Sequence, residues 1–293
     1  FQDGQGLNPL LQNYWMTIHP PTLFLGFAAT SVPFAFAAAG LTQRDDRSWM
    51  TPALRWGVFG IGILGTGILM GGAWAYEALS FGGFWAWDPV ENSSLVPWLT
   101  LVAGTHLLLI NRNKKSPMAL FSTFYFLLIS FLLVLYSTFL TKSGILGDTS
   151  VHSFVDSGIL PQLLVYVLSF VGFAHILLLK SVQWRRGMAI LAVALTVIAL
   201  KGYVIEAIAV FLLALTFTTI KAYRTDFERS SEEESVWSRE FWMFVGSLLF
   251  LVSAAHITWQ TSLPVFNQFL EPLGPILSKL GAEWNSSLLT DLS

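Results

Sequence analysis

Five histidines and no cysteine set the chemistry open to this chain of 293 residues. Without a thiol it can form no disulfide, offer no thiolate to a metal and carry out no thiol exchange, so sulfur chemistry must arrive with a partner. Imidazole is the soft donor that remains. His19 stands in Thr17-Ile18-His19-Pro20-Pro21, and His152 closes Gly147-Asp148-Thr149-Ser150-Val151-His152. Between them Trp74, Tyr76, Phe81, Phe84, Trp85, Trp87 and Trp98 crowd one segment, with glycines at 71, 72, 82 and 83. Large rigid rings offer wide stacking area at low entropic cost, and glycine lets backbone approach a flat surface.

The plain reading of those rings is an interfacial aromatic belt. Belts spread their rings over several helix ends, whereas here they are massed in one stretch, which favours a platform for a planar apolar ligand. Two neutral imidazoles flanking such a platform suit iron in a porphyrin. Zinc is a poorer fit, because a closed site wants four ligands and cysteine is missing. Asp88-Pro89-Val90-Glu91 looks like a carboxylate pair for acid–base work, but its spacing is that of a helix start. Asp88 takes the N-cap, Pro89 the first helical position and Glu91 the third, reaching back as in a capping box. The other histidines fall inside apolar stretches. His106 is either a second haem ligand within the membrane or a helix-to-helix hydrogen bonder; His175 and His256 are read as the latter. Lys142 could pair with a haem propionate, although a lone outer lysine is usually solvated.

These groups must be positioned by helices in a bilayer. Hydrophobic residues make up 54% of the chain and charged residues 12%, far from the composition of a soluble domain. Apolar stretches long enough to span, or nearly so, run about 22–40, 54–73, 93–110, 118–138, 160–179 and 241–262, and a longer run over 188–220 reads as a hairpin with its tip near Lys201. The fold class is all-α: a polytopic helical integral membrane protein of about eight spans with an outer-face tryptophan-rich amphipathic segment. Alternating the spans leaves only Lys142, Lys201 and Lys279 of the 16 basic residues on one side. By the positive-inside rule that side is outer, and the parity requires the hairpin. The expected organisation is a periplasmic N-terminal segment 1–21, a core 22–160 carrying the tryptophan-rich segment 74–98 and the outer loop 139–159, further helices 161–262 with cytoplasmic loop 221–239, and a periplasmic tail 263–293. Glu232-Glu233-Glu234 reads as a solvated cytoplasmic loop. The near-neutral charge balance excludes a nucleic-acid partner; membrane lipid is the surrounding partner. The opening at Phe1, without Met or a targeting segment, reads as a piece of something longer.

His19-Pro20-Pro21, the stretch Gly83-Phe84-Trp85-Ala86-Trp87-Asp88-Pro89-Val90-Glu91-Asn92, and Phe139-Leu140-Thr141-Lys142-Ser143-Gly144 followed by Ser150-Val151-His152 occur in an order that resembles the cytochrome c maturation protein F family. The likeness is specific over about residues 4–155. Beyond residue 160 it rests on hydropathy and on Ser238-Arg239-Glu240-Phe241. The resemblance implies a haem lyase of the bacterial inner membrane that holds haem at the periplasmic face. His19 and His152 would be axial ligands, and Trp74, Trp85, Trp87, Asp88 and Trp98 would form the binding segment. It also implies that His106 is one of two ligands of a separate, membrane-buried haem b, the second lying further toward the C-terminus than this chain reaches. The implied reaction joins haem vinyl groups to the thiols of a Cys-x-x-Cys-His motif in an apocytochrome c, in cytochrome c biogenesis. A haem chaperone would deliver haem, and thiol-reductase and scaffold subunits the apocytochrome. Two related readings are a non-catalytic haem transporter or chaperone of the same superfamily, and the single-chain cytochrome c synthase of the other maturation system. A haem-free transporter, its aromatic loop only an anchor, is the reading from another class.

Overall fold

The structure is a computed structural model that describes residues 6–80, 82–112, 119–147, 150, 152–154, 158–227 and 235–270. Phe81, Asp148, Thr149, Val151, Lys114, Lys115, Arg229, the acidic run 232–234 and the tail beyond residue 270 lie outside the described residues. After a 3-10 turn at Pro9–Leu11 come α1 (Tyr14–Gln43), α2 (Met50–Ala78), α3 (Pro89–Asn111), α4 (Leu120–Lys142), α5 (Leu160–Leu178), α6 (Val182–Leu200), α7 (Val204–Lys221), α8 (Arg239–Thr261) and a short α9 (Leu263–Leu270). Among the described residues, eight helices are long and apolar enough to cross a membrane. The protein is a polytopic helical membrane protein.

Local signals account for the starts of α1, α3 and α8. Asn13 caps α1 by accepting from the Trp15 N–H at 2.8 Å, and Ser238 caps α8 by accepting from the Phe241 N–H at 3.1 Å. The capping box expected at Asp88 and Glu91 is present, with Pro89 opening α3. The apolar run after residue 180 is a hairpin whose turn, Lys201-Gly202-Tyr203, uses Gly202 at φ 100, a conformation that glycine adopts without strain.

One boundary differs from the sequence expectation. The segment 1–21 was to end before the first span, with His19-Pro20-Pro21 just outside it, yet α1 begins at Tyr14 and continues through both prolines. Pro20 and Pro21 each remove one internal N–H donor, yet α1 runs through both, as membrane helices tolerate where neighbouring groups compensate. His19 therefore belongs to the second turn of a rigid rod.

The helices pack around α3, the most enclosed of the eight, which touches α2, α4 and α8. The tightest pair is α1 with α2. A Cβ on Gly26 would lie 2.5 Å from Leu64 Cα, and one on Gly67 would lie 2.7 Å from Leu23 Cα, so small residues bring the two backbones together, as is usual between membrane helices. Trp49 stacks on Phe124 with centroids 4.5 Å apart in the largest apolar cluster. Buried hydroxyls bridge the helices, Ser93 to Ser137 at 2.9 Å and Ser130 to Thr100 at 3.0 Å. The α6–α7 hairpin packs against α5, which both of its helices touch.

A candidate haem site at one end of the bundle

His19 is oriented by a backbone carbonyl. Its Nδ1 lies 2.7 Å from the Gly67 oxygen on α2. A carbonyl can only accept, so Nδ1 carries the proton and donates, and Nε2 keeps a free lone pair. The close α1–α2 crossing makes this possible: a Cβ at Gly71 would sit 2.7 Å from His19 Cε1, so glycine is what leaves the ring its place.

His152 comes from the loop after α4. Its backbone N–H donates to Ser150 Oγ at 3.1 Å, and Ser150 Oγ donates to Asp88 Oδ1 at 2.8 Å. The same Oδ1 accepts from the Val90 N–H at 2.8 Å and lies 3.4 Å from His152 Nδ1. Burial pushes the Asp88 carboxyl up, but the His152 imidazole, the Ser150 hydroxyl and the Val90 N–H together outweigh it and hold the group below its ordinary range. Glu91 completes the helix start, accepting from the N–H groups of Ala86 at 3.0 Å and Asp88 at 3.3 Å. Asp88 thus ties the outer loop to the head of α3.

Both imidazoles line one cavity of about 70 Å³, together with Trp74, Trp85, Gly71 and Gly72. The tryptophans do not form a single bed. Trp74 is buried, donates from Nε1 to the Leu10 carbonyl at 3.0 Å and meets the His152 ring edge-on at 5.5 Å. Trp85 lines the cavity with a buried Nε1 that has no hydrogen-bond partner. Trp87 is 62% exposed and held at φ 58, a strained backbone for a bulky residue; its carbonyl accepts from Asn92 Nδ2 at 3.0 Å. Phe84 stacks on Tyr76 at 4.5 Å on the open rim. Trp98 departs from the expectation: it lies on α3, donates from Nε1 to the Ile61 carbonyl at 3.0 Å and is not among the residues that line the cavity. Its place ten residues into a helix carries it more than two turns away from the head of α3.

Sequence reasoning passed over Glu77. Its carboxylate accepts from Asn13 Nδ2 and from Trp15 Nε1, each at 3.0 Å, which with the Trp74 bond straps the N-terminal segment to the end of α2. The available signal was a lone acid at the end of a span whose one other charge, Arg55, lies at the opposite end.

The remaining histidines separate. His106 stacks against Phe250 of α8, centroids 6.2 Å apart, with Nδ1 buried and unpartnered. His175 is a helix-to-helix hydrogen bonder, Nε2 2.5 Å from Thr218 Oγ1 and Nδ1 3.3 Å from Thr219 Oγ1. His256 is exposed on α8, so the helix contact expected of it is not made among the described residues. These residues supply His106 as a single imidazole for a buried haem and no second one facing it. They do not make a two-imidazole site there by themselves. Lys142 is partly exposed, with its Nζ 3.2 Å from the centroid of the exposed Phe154 ring.

The sequence model of the cytochrome C assembly protein family matches residues 1–146. The cytochrome c-type biogenesis protein CcmF of Pseudomonas aeruginosa is 42% identical over 171 residues, 57% of this chain and 25% of that protein. The CcmF of Escherichia coli is 40% identical over 169 residues, 57% of this chain and 25% of its own length. CycK of Rhizobium meliloti is 42% identical over 153 residues, 52% of this chain and 22% of its own. A solved structure, cytochrome c haem lyase CcmF, superposes with a TM-score of 0.57 at 25% identity, covering 90% of this chain and 34% of that one. The chain thus spans about a quarter of the length of the curated relatives it matches. Through residues 1–146, which hold α1 to α4 and His19, the chain belongs to the cytochrome C assembly protein family.

Proposed function

We propose that this chain is the haem-handling part of a cytochrome c haem lyase of the bacterial inner membrane, acting at the outer face in cytochrome c biogenesis. The observation that carries the reading is the convergence of His19 on α1 and His152 in the loop after α4, far apart in sequence, on one cavity walled by Trp74 and Trp85. The donor set suits haem as a substrate whose iron would face the cavity; at about 70 Å³ the cavity is too small for the whole porphyrin, which would extend over the open rim of Trp87, Phe84 and Tyr76. His19 offers Nε2 because Nδ1 is engaged, the Trp85 Nε1 is buried without a partner, and Gly71 gives the His19 ring its place on the cavity wall.

The reaction adds a cysteine S–H across each vinyl C=C. The sulfur bonds to one vinyl carbon, hydrogen goes to the other, the π bond and the S–H bond break, and no external oxidant is consumed. The chain contributes position rather than a nucleophile, since it holds no cysteine; fixing vinyl against thiol replaces a bimolecular encounter by a unimolecular one. Both thiols come from the apocytochrome. Haem arrives from a chaperone at the exposed rim of Trp87, Phe84 and Tyr76, and thiol-reductase and scaffold subunits present the apocytochrome.

The test is haem titration of the purified full chain, followed by its Soret band. His19→Gly and His152→Gly each lower affinity by about tenfold or more and shift the band, and added imidazole restores it. Wild-type affinity in both variants would remove the ligand roles. A colourless protein after haem is supplied would reduce the aromatic segment to a membrane anchor.

A further inference from the structure

A second polar cavity lies at the opposite end of the bundle. It has a volume of about 200 Å³ and is bounded by Arg44 after α1, Lys180 between α5 and α6, Arg185 in the first turn of α6, and Phe227 after α7. That is well above the roughly 15 Å³ that a single water needs. Gly40, Leu41 and Leu177 form its apolar floor, and Asp46 is the one acidic residue on its wall. Asp226, which accepts from the Lys180 N–H at 3.0 Å, is paired with Lys221.

No ion pair among the described residues neutralises the cavity's cations, although the fold holds Arg185 through its Nε bond to the Leu179 carbonyl. Among the described residues no carboxylate lies within ion-pair distance of Arg44, Lys180 or Arg185: Lys221 takes Asp226 at 2.5 Å, and the other pairs are His152–Asp88 and Arg239–Glu240. Arg185 donates from Nη2 to the Leu177 carbonyl at 3.2 Å and so finishes α5. Arg44 reaches the Lys180 carbonyl only at 3.5 Å, and Lys180 Nζ rests 5.1 Å from the Phe227 centroid. Arg44 also occupies the left-handed position that ends α1, φ 56, where glycine is the usual residue. A cation there bears backbone strain that a simple turn would avoid.

Depth decides the ligand class. The cavity sits where α1 and α5 end and α6 begins, at the end that the positive-inside rule assigns to the cytoplasm. Trp184 is 39% exposed at the start of α6, with Lys221 Nζ 5.7 Å from its ring, and tryptophan at a span end marks the headgroup level. A basic recess at that level with an apolar floor matches a phosphoryl group carried on acyl chains, and basic pockets between helices on this side are suited to anionic headgroups. We propose that Arg44, Lys180 and Arg185 form a binding site for the headgroup phosphate of an anionic phospholipid of the inner leaflet.

The test uses the full chain in detergent, with native mass spectrometry of adducts formed with phosphatidylglycerol and, at equal concentration, phosphatidylcholine. Arg185 is left intact because it finishes α5. The wild type retains phosphatidylglycerol preferentially, and in Arg44→Gln/Lys180→Gln the preference falls by an order of magnitude or more, to parity, while Arg224→Gln, an exposed cation outside the cavity, keeps it. If the double variant does not purify as a folded protein, Arg44→Gln alone lowers the preference about fivefold. An unchanged preference in the variant measured, or an equal loss in Arg224→Gln, overturns the site in favour of general surface charge. Displacement of phosphatidylglycerol by millimolar glycerol 3-phosphate as effectively as by the lipid itself overturns it in favour of a soluble phosphate.

Discussion

An imidazole can serve an incoming metal only if one nitrogen is held and the other is free, and at His19 the holder is the Gly67 carbonyl 2.7 Å away. The free space around the ring is that of Gly71. Gly71→Ala would put a methyl 2.7 Å from Cε1, forcing the ring off its carbonyl; losing that one orientation is worth about 1 kcal/mol, or five- to tenfold in haem affinity. Titration by absorbance checks this, and an affinity equal to wild type would show that the ring has slack. The two tryptophans separate in the same assay. Trp98→Phe leaves haem affinity unchanged, because its indole bonds Ile61 away from the cavity, whereas Trp85→Phe lowers it. Asp88 is a pH-dependent tie. Its carboxyl is held below the ordinary value of 3.8, so it stabilises the native loop fully above that value, and the stabilisation is lost as pH falls through the depressed folded value. Asp88→Ala therefore lowers the thermal unfolding midpoint equally at about pH 7 and pH 5, by the ~1 kcal/mol of a lost cap and more from Ser150, and the gap narrows near pH 3. A gap that widened in acid would contradict the assignment of the charge.

Elements set which residues can meet at all. The α1–α2 crossing places His19 over Gly67, and Gly26 and Gly67 are what bring the two backbones together. Gly26→Val would press a side chain onto the Leu64 backbone, where a Cβ already has only 2.5 Å. Overpacking of this kind costs about 1–3 kcal/mol, and here it also shifts His19 relative to its carbonyl. A fall in both the detergent unfolding midpoint and haem affinity is the expected pair of results, and a variant that lost neither would show that the two helices separate freely. The start of α3 was readable in advance because a capping box is local: Asp88, Pro89 and Glu91 act within one turn. The start of α1 was not, because whether Pro20 and Pro21 end a helix depends on who receives the carbonyls they leave behind.

At the scale of the whole molecule, the two ends of the bundle differ in kind. One gathers histidine, tryptophan and Asp88 around a cavity; the other gathers Arg44, Lys180 and Arg185. The absence of cysteine makes the topology directly measurable. Gln12→Cys and Gly202→Cys should react with an impermeant maleimide from the outer face, and Ser48→Cys and Ser181→Cys only after permeabilisation. Labelling of Gly202→Cys from the same side as Ser48→Cys would break the hairpin parity on which the orientation stands.

The sequence by itself determined the quantities that depend on neighbours a few residues away or on the bilayer. These are eight apolar spans, the hairpin at Lys201, the cap at Asp88, and the concentration of chemistry-bearing side chains in one stretch. Only the tertiary structure decided which of those side chains share a cavity. Trp74, Trp85, Trp87 and Trp98 are equivalent as letters, yet one is a buried wall, one lines the cavity, one is exposed on a strained backbone and one bonds a different part of α2. Likewise His175 is satisfied by α7 while His256 faces outward. The reason is physical: helix formation follows from local hydrogen bonding and span length, but the direction a side chain faces is set by the close α1–α2 and α3–α8 crossings, and those depend on residues forty to more than a hundred positions apart.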